Sequence, residues 1–208
     1  KENYKNCIIT KTLKFLKVYN KINLEIKIKK NIPTMAGLGS ASTNAAALLK
    51  MLNELKIIDL NKNYKFYSSL GADIPVFLHG KNSIVRGIGD EIEEYLVPKY
   101  YFLLVKPTIN NSTKKMYELI NDFNTSKKSL SMDQKGNDFE KIAIIKNNII
   151  KEILDFLVKS DNCILSGMSG SGSCCFATFK KQKYAFMAQN MLKANFPSMW
   201  SYVAENNL

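Results

Sequence analysis

The sequence predicts an α+β fold in two domains, residues 1–98 and 99–208. Apolar residues recur at helical spacing in some segments and alternate with polar residues in others, so helices and strands are mixed along the chain. Pro98 precedes a new apolar segment and marks the boundary between the domains. With 208 residues, 46% of them hydrophobic, the chain is long enough to bury a substantial core.

The first half of the chain has the patterns of a helix, a strand and a second helix. Tyr4 to Tyr19 has helical spacing, and residues 22–29 alternate apolar with polar side chains, as in a half-buried strand. A second helix, with Thr43 or Asn44 as its N-cap, is predicted from one apolar face made by Ala45, Leu48, Leu49, Leu52 and Leu55. A helix over 64–70 and a strand over 83–86 follow.

The second half repeats this mixture around a polar segment. The pattern predicts a strand over 101–105, a helix from Ser112–Thr113 to Leu119, an irregular loop over 124–137, helices within 140–159, a turn over 166–173, a strand over 174–179 and a helix over 181–194. Because successive strand residues face opposite sides, Cys174 and Cys175 are expected to point one inward and one outward.

Charge and cysteine content exclude several classes of protein. The net charge is +12, but Arg86 is the one arginine among 30 basic residues, whereas proteins that read nucleic acids favour arginine for contacts with bases. We therefore expect no nucleic-acid partner. The four cysteines have neither the density of a disulfide scaffold nor the spacing of a zinc site, so we expect them to be reduced.

Membrane and secretory signals are not visible in the sequence. No apolar run reaches the length of about 18 residues that a membrane-spanning helix needs. The first residues also lack the charged and then apolar pattern of a secretory peptide. We therefore expect no membrane association, although a targeting segment could precede Lys1.

A loop rich in small residues leads into the second helix and has the chemistry of a phosphate site. Glycines let the backbone approach an anion, hydroxyls add donors, and free N–H groups at a helix start favour negative charge. Such a loop can also be an ordinary turn before a helix. It is neither a P-loop nor a dinucleotide fingerprint, because the lysine of the first and the third glycine of the second are missing. The candidate residues are Pro33, Thr34, Met35, Ala36, Gly37, Leu38, Gly39, Ser40, Ala41, Ser42 and Thr43.

Three stretches of the chain resemble the GHMP kinases. Residues 33–44 resemble the second motif of that superfamily, Pro-x-x-x-Gly-Leu-Gly-Ser-Ser, and residues 166–177 are similar to its third, glycine-rich motif. Residues 70–80 and 87–91 resemble the branch that phosphorylates 4-diphosphocytidyl-2-C-methyl-D-erythritol. The resemblance implies the GHMP kinase fold, an incomplete ribosomal-S5-like domain followed by a ferredoxin-like domain, in which residues 137–140 match a motif that opens a helix.

The resemblance also implies a reaction and roles for residues. The reaction is ATP-dependent phosphorylation of the substrate's 2-hydroxyl in the non-mevalonate route to isoprenoids, with Mg²⁺ bridging the ATP phosphates. Asp73 matches the catalytic aspartate, and Gly170, Ser171 and Gly172 are expected to contact the substrate. Asp73 could instead simply cap a turn, and the glycines could simply serve a tight hairpin. The metal ligands stay unassigned.

The sequence departs from the pattern of this branch in two places. The loop reads Gly-Ser-Ala-Ser-Thr where this branch has a run of glycines before two serines, so Ser40 and Ala41 restrict the backbone that would bind phosphate. The opening Pro-x-Lys-Ile-Asn-Leu motif with its catalytic lysine is also missing, since Lys21 lies too close to Pro33 to serve. We expect the missing lysine and much of the substrate pocket to lie upstream of Lys1.

Alternatives to this function and to its setting remain open. The chain could be a mevalonate-type or homoserine-type GHMP kinase, or a nucleotide-binding module without activity. The pathway implies a plastid-type organelle or a bacterial cytoplasm, and the composition rich in lysine and asparagine favours the organelle. We expect a monomer or a weak homodimer.

Overall fold

The structure is a computed structural model that describes residues 7–120 and 136–206. The chain forms two compact units, the first made of residues 7–30 and 39–97 and the second of residues 31–38 together with the described residues from 98 to 206. Residues 31–38, which are predicted to belong to the first domain, thus pack with the second unit. The loop predicted over 124–137 lies, except for its last two residues, outside the described residues.

The first unit packs helices on both sides of α2 and ends in a hairpin. It contains α1 (Ile8–Phe15), α2 (Ser40–Glu54), a 3-10 helix (Tyr64–Tyr67), α3 (Ile74–His79) and the antiparallel strands β1 (Ser83–Arg86) and β2 (Glu91–Glu94). The predicted apolar face of α2 is confirmed for four of its residues, since Ala45, Leu48, Leu49 and Leu52 are buried. Leu55 follows the helix and is 59% exposed, so its predicted burial is wrong.

Other predictions for the first unit need correction. The strand predicted over 22–29 is wrong, because that segment pairs with no strand among the described residues, and Leu24 and Ile28 are 41% and 43% exposed. Alternation alone does not make a strand without a neighbour that accepts its hydrogen bonds. Helix α1 ends at Phe15, before its predicted end at Tyr19, and its predicted start at Tyr4 lies outside the described residues. Helix α2 begins at Ser40, so Thr43 and Asn44 lie inside the helix instead of capping it.

The second unit is an antiparallel sheet covered by helices. The strands are β3 (Tyr101–Lys106), β4 (Leu165–Met168), β5 (Cys175–Phe179) and β6 (Trp200–Glu205), in the order β4-β5-β3-β6. The helices are α4 (Thr113–Glu118), α5 (Asp138–Lys146), α6 (Asn148–Val158) and α7 (Gln182–Asn195). Ile153, Leu157 and Leu192 bring α6 and α7 into one core with the sheet. No helix within the described residues has the length and apolar character needed to cross a membrane.

The predicted α+β class is confirmed, with exceptions among the strands. β2 and β6 are not predicted from the sequence, and β4 occupies part of the predicted turn. The two cysteines at β5 are both fully buried, so the one expected to point outward is not exposed. Cys175 belongs to the core of the second unit, and the backbone of Cys174 contacts the loop, where its N–H donates to the Ala36 carbonyl at 3.0 Å. Burial raises the pKa of the Cys174 thiol to about 12, so the thiol stays protonated at neutral pH.

Two leucines at the end of α2 provide a matched test of this core. We expect Leu52→Ala to lower the free energy of unfolding by about 2–5 kcal/mol, because it leaves a cavity at a fully buried position. Leu55→Ala, at the exposed position, should change it by less than about 0.5 kcal/mol. Urea unfolding measures both variants, and equal losses would place Leu55 in the core and contradict the structure.

Candidate active site

The second unit holds the first part of the predicted phosphate loop against the glycine-rich turn at 169–173. Three successive loop carbonyls accept hydrogen bonds from this turn and the residue after it: Met35 from the Ser173 N–H, Ala36 from the Cys174 N–H and Gly37 from the Ser169 hydroxyl, at 3.4, 3.0 and 2.9 Å. Gly37 has φ +74°, and a Cβ there would collide with the Ser169 carbonyl and lie 2.9 Å from that of Gly172. This approach of two backbones requires glycine.

The rest of the loop forms the start of α2 in the first unit. Gly39 is the N-cap at φ +64°, and no side chain caps the helix, so the N–H groups of its first turn are not bound by a capping side chain. The first turn also carries no acidic residue. The Thr43 hydroxyl donates to the Gly39 carbonyl at 3.1 Å and is thus directed back to the helix.

Asp73 lies beside the start of α2 within the same unit. It occupies the N-cap position of α3, yet its carboxylate accepts no capping hydrogen bond there, which argues against the alternative that it only caps a turn. A Cβ on Gly39 would lie 3.7 Å from Asp73 Oδ2 and 2.7 Å from the Phe77 ring. The exposed carboxylate therefore sits next to the residue that opens the helix.

The turn between β1 and β2 supports the backbone next to Asp73. Gly89, at φ +85°, packs so closely on the Ala72 carbonyl that a Cβ would collide with it. Asp90 accepts from the Ile88 N–H at 3.0 Å and pairs with the Lys65 ammonium at 2.6 Å. This hydrogen bond to Lys65 holds the pKa of the Asp90 carboxyl below its ordinary value. The segment 87–91 thus has a physical role beside the candidate base.

The glycine-rich turn is fixed by side chains that sequence reasoning missed. The Asn137 amide donates to the Met168 and Gly170 carbonyls at 2.7 and 2.9 Å. The hydroxyls of Thr113 and Ser171 are 2.9 Å apart, and the buried Asn111 amide donates to the Ser171 carbonyl at 3.5 Å. In the sequence these three residues could be seen only as polar residues at or near the starts of helices.

A cavity of about 540 Å³ opens beside this turn in the second unit. Among the residues that line it are Tyr117, Phe139 and Phe176, whose rings give it an apolar wall, and Ser169 and Gly170 of the turn. Of the predicted substrate contacts, Gly170 therefore faces the cavity. Ser171 is buried, with 7% of its surface exposed.

The described residues include a buried lysine and can also be examined for a metal site. The Lys106 ammonium is buried and donates to the carbonyls of Pro107 and Ile109 and to Asn110 Oδ1, and burial lowers its pKa. It therefore stabilises the segment after β3. No three His, Cys, Asp or Glu side chains in the described part of the chain are placed to hold a metal ion.

Two family models match the chain in the expected order. The model described as GHMP kinases N terminal domain matches residues 6–90, and the model described as GHMP kinases C terminal matches residues 114–198. A crystal structure of 4-(cytidine 5'-diphospho)-2C-methyl-D-erythritol kinase is similar to the whole chain, with a TM-score of 0.81, 23% identity and 81% of its own length covered. At this identity the likeness shows the fold.

Curated relatives of the chain are named 4-diphosphocytidyl-2-C-methyl-D-erythritol kinase. The 4-diphosphocytidyl-2-C-methyl-D-erythritol kinase of Pelagibacter ubique is 33% identical over 92% of this chain and 73% of its own length. The enzyme of that name from Anaplasma phagocytophilum is 31% identical over 86% of this chain, which spans only 65% of that relative. The chain therefore belongs to the GHMP kinases, in the family of 4-diphosphocytidyl-2-C-methyl-D-erythritol kinases.

Proposed function

We propose that this chain carries out the ATP-dependent phosphorylation of the 2-hydroxyl of 4-diphosphocytidyl-2-C-methyl-D-erythritol. The names of its relatives support this substrate. The observation that carries the proposal is the exposed Asp73 carboxylate beside Gly39, where α2 begins without a side-chain cap. A base and an anion-binding helix start are thus adjacent within one unit.

The ATP phosphates would bind at the loop and at the start of α2. Phosphoryl transfer needs alignment and neutralisation of charge more than covalent help from the protein. The carbonyls of Met35, Ala36 and Gly37 accept hydrogen bonds from the glycine-rich turn and the residue after it. The loop would therefore bind an anion through its backbone N–H groups. The uncapped N–H groups and the positive end of α2 add to this.

Asp73 would act on the acceptor hydroxyl. A carboxylate within hydrogen-bond reach of that hydroxyl can take its proton, or orient the oxygen for attack on the γ-phosphorus. Two features of the structure support this role: the Asp73 side chain accepts no capping bond from α3, and Gly89 packs closely against the neighbouring Ala72.

Magnesium would enter with the nucleotide. Mg²⁺ in kinases is held by substrate phosphates with few protein carboxylates. Among the described residues, no three His, Cys, Asp or Glu side chains are placed to hold the ion by themselves. We therefore assign no residue to it, and its contribution would be to neutralise charge on the ATP phosphates.

The proposal is tested by ADP release from the natural full-length protein, including any residues before Lys1. The protein is offered 4-diphosphocytidyl-2-C-methyl-D-erythritol, mevalonate and homoserine in separate assays. Turnover with the cytidyl substrate alone supports the proposal. Turnover with one of the other alcohols alone would move the chain to another branch, and ATP binding without any turnover would favour the inactive module.

Removing the charge of Asp73 should stop the chemistry while leaving the nucleotide bound. We expect Asp73→Asn to lower kcat by about two to four orders of magnitude, the size expected when a positioned proton acceptor is lost. The ATP dissociation constant, measured by calorimetry, should stay within about twofold of the wild type, because the amide has nearly the same shape. Asp59→Asn, also at an exposed position of the first unit, is the matched control and should keep normal turnover. Near-normal turnover of Asp73→Asn would make Asp73 a structural residue.

Adding a methyl group to the loop should weaken nucleotide binding. We expect Gly37→Ala to raise the ATP dissociation constant about ten- to a hundredfold, because the collision with Ser169 displaces N–H donors, each of which contributes about 1.5–3 kcal/mol to a bound charge. Gly80→Ala is the matched control, since Gly80 has a similar φ of +76° but its Cβ would meet nothing closer than Lys50 Nζ at 3.6 Å. Equal ATP affinities of the two variants would contradict a phosphate site at this loop.

A further inference from the structure

The segment 137–140, which the sequence marks only as the start of a helix, also binds the end of β4 and the glycine-rich turn. Asn137 Nδ2 donates to the carbonyls of Met168 and Gly170, and its Oδ1 accepts from the Phe139 N–H at 3.0 Å. Glu140 Oε2 accepts from the Met168 N–H at 2.8 Å. Both donor hydrogens of the amide are thus directed at backbone carbonyls, and its oxygen caps α5.

The turn that Asn137 binds contains residues with unusual backbone freedom. Gly170 and Gly172 have φ of +51° and +81°, conformations that glycine adopts but does not by itself select. Ser169 and Ser171 are fixed by hydrogen bonds to Gly37 and Thr113. The Asn137 amide supplies the hydrogen bond at Gly170 itself, so the conformation at that glycine depends on it.

The position of Gly170 matters because it lines the cavity beside the turn. Asn137 and Ser169 line the same cavity, so Asn137 both contributes to the cavity wall and forms hydrogen bonds with the turn. A shift of the Gly170 carbonyl would therefore change the shape of the cavity directly. The stability of the second unit would change less, since its core lies among α6, α7 and the sheet.

We propose that Asn137 is a positioning residue for the acceptor substrate, because its amide fixes Gly170 in the conformation that contacts this substrate. The inference rests on the proposed function. It adds to that function a residue that is separate from the phosphate loop, from Asp73 and from the glycine-rich turn. It explains why an amide is needed here, since aspartate and serine would cap α5 equally well but could not donate to two carbonyls.

The test is Asn137→Asp in the full-length protein, assayed with ATP and the cytidyl substrate. Aspartate keeps the acceptor for Phe139 but loses both donors. We expect the KM of the acceptor alcohol to rise about tenfold with kcat within about threefold of the wild type, since each hydrogen bond contributes about 0.5–1.5 kcal/mol. Asn137→Ser should give the same change and serves if the aspartate variant does not fold. Asn148→Asp, at the start of the next helix where the amide donates to the exposed Glu152 and to nothing in the turn, should keep the wild-type KM.

The outcomes separate this inference from the proposed function. A raised KM in either folded Asn137 variant, with a normal KM in Asn148→Asp, supports the positioning role. An active wild type and a folded Asn137→Asp variant with an unchanged KM would overturn the role alone. A wild type that turns over no cytidyl substrate would overturn the proposed function, and this role with it.

Discussion

The conformation of the glycine-rich turn at 169–173 depends on the direct contact of its backbone with that of the loop at 35–37. The contact is made by carbonyls, N–H groups and the Ser169 hydroxyl, and it exists because Gly37 has no side chain. The N–H of the buried Cys174 donates to the loop, and Asn111, Thr113 and Asn137 form further hydrogen bonds with the turn.

In the first unit, elements also pack closely at glycines beside Asp73, the candidate base. Gly39 allows the Phe77 ring to approach the start of α2, and Gly89 allows the β1–β2 turn to touch Ala72. In both places a missing Cβ brings rigid elements close to Asp73. The carboxylate is thus positioned by close packing of its neighbours, which leaves its oxygens without capping bonds to α3.

The parts of the fold that the sequence predicts well are those with strong local patterns. The apolar face of α2 follows from spacing and strand β1 from the glycines that bracket it, whereas the helix start at Asn137 and the family follow from resemblance to motifs. The strand predicted over 22–29 fails because pairing is not local, and β6 is missed because its pattern is weak. The polar contacts of Asn111, Thr113 and Asn137 join residues about 30 to 60 positions from their partners, beyond any local pattern. The cellular compartment, the oligomeric state and a lysine upstream of Lys1 stay predictions.

The separation of the loop from its partners along the chain has a consequence for synthesis. Ser169 and Gly37, which share a hydrogen bond, are 132 positions apart. At a translation rate of about 5–20 residues per second, roughly 7–26 seconds pass between the emergence of the two segments from the ribosome. During that interval α1 and α2 can already pack on each other, whereas residues 35–37 still lack the turn that binds their carbonyls. The loop therefore acquires its final conformation among the last parts of the nascent chain, and a ribosome that stalls before residue 169 leaves a folded α2 with an unformed loop in front of it.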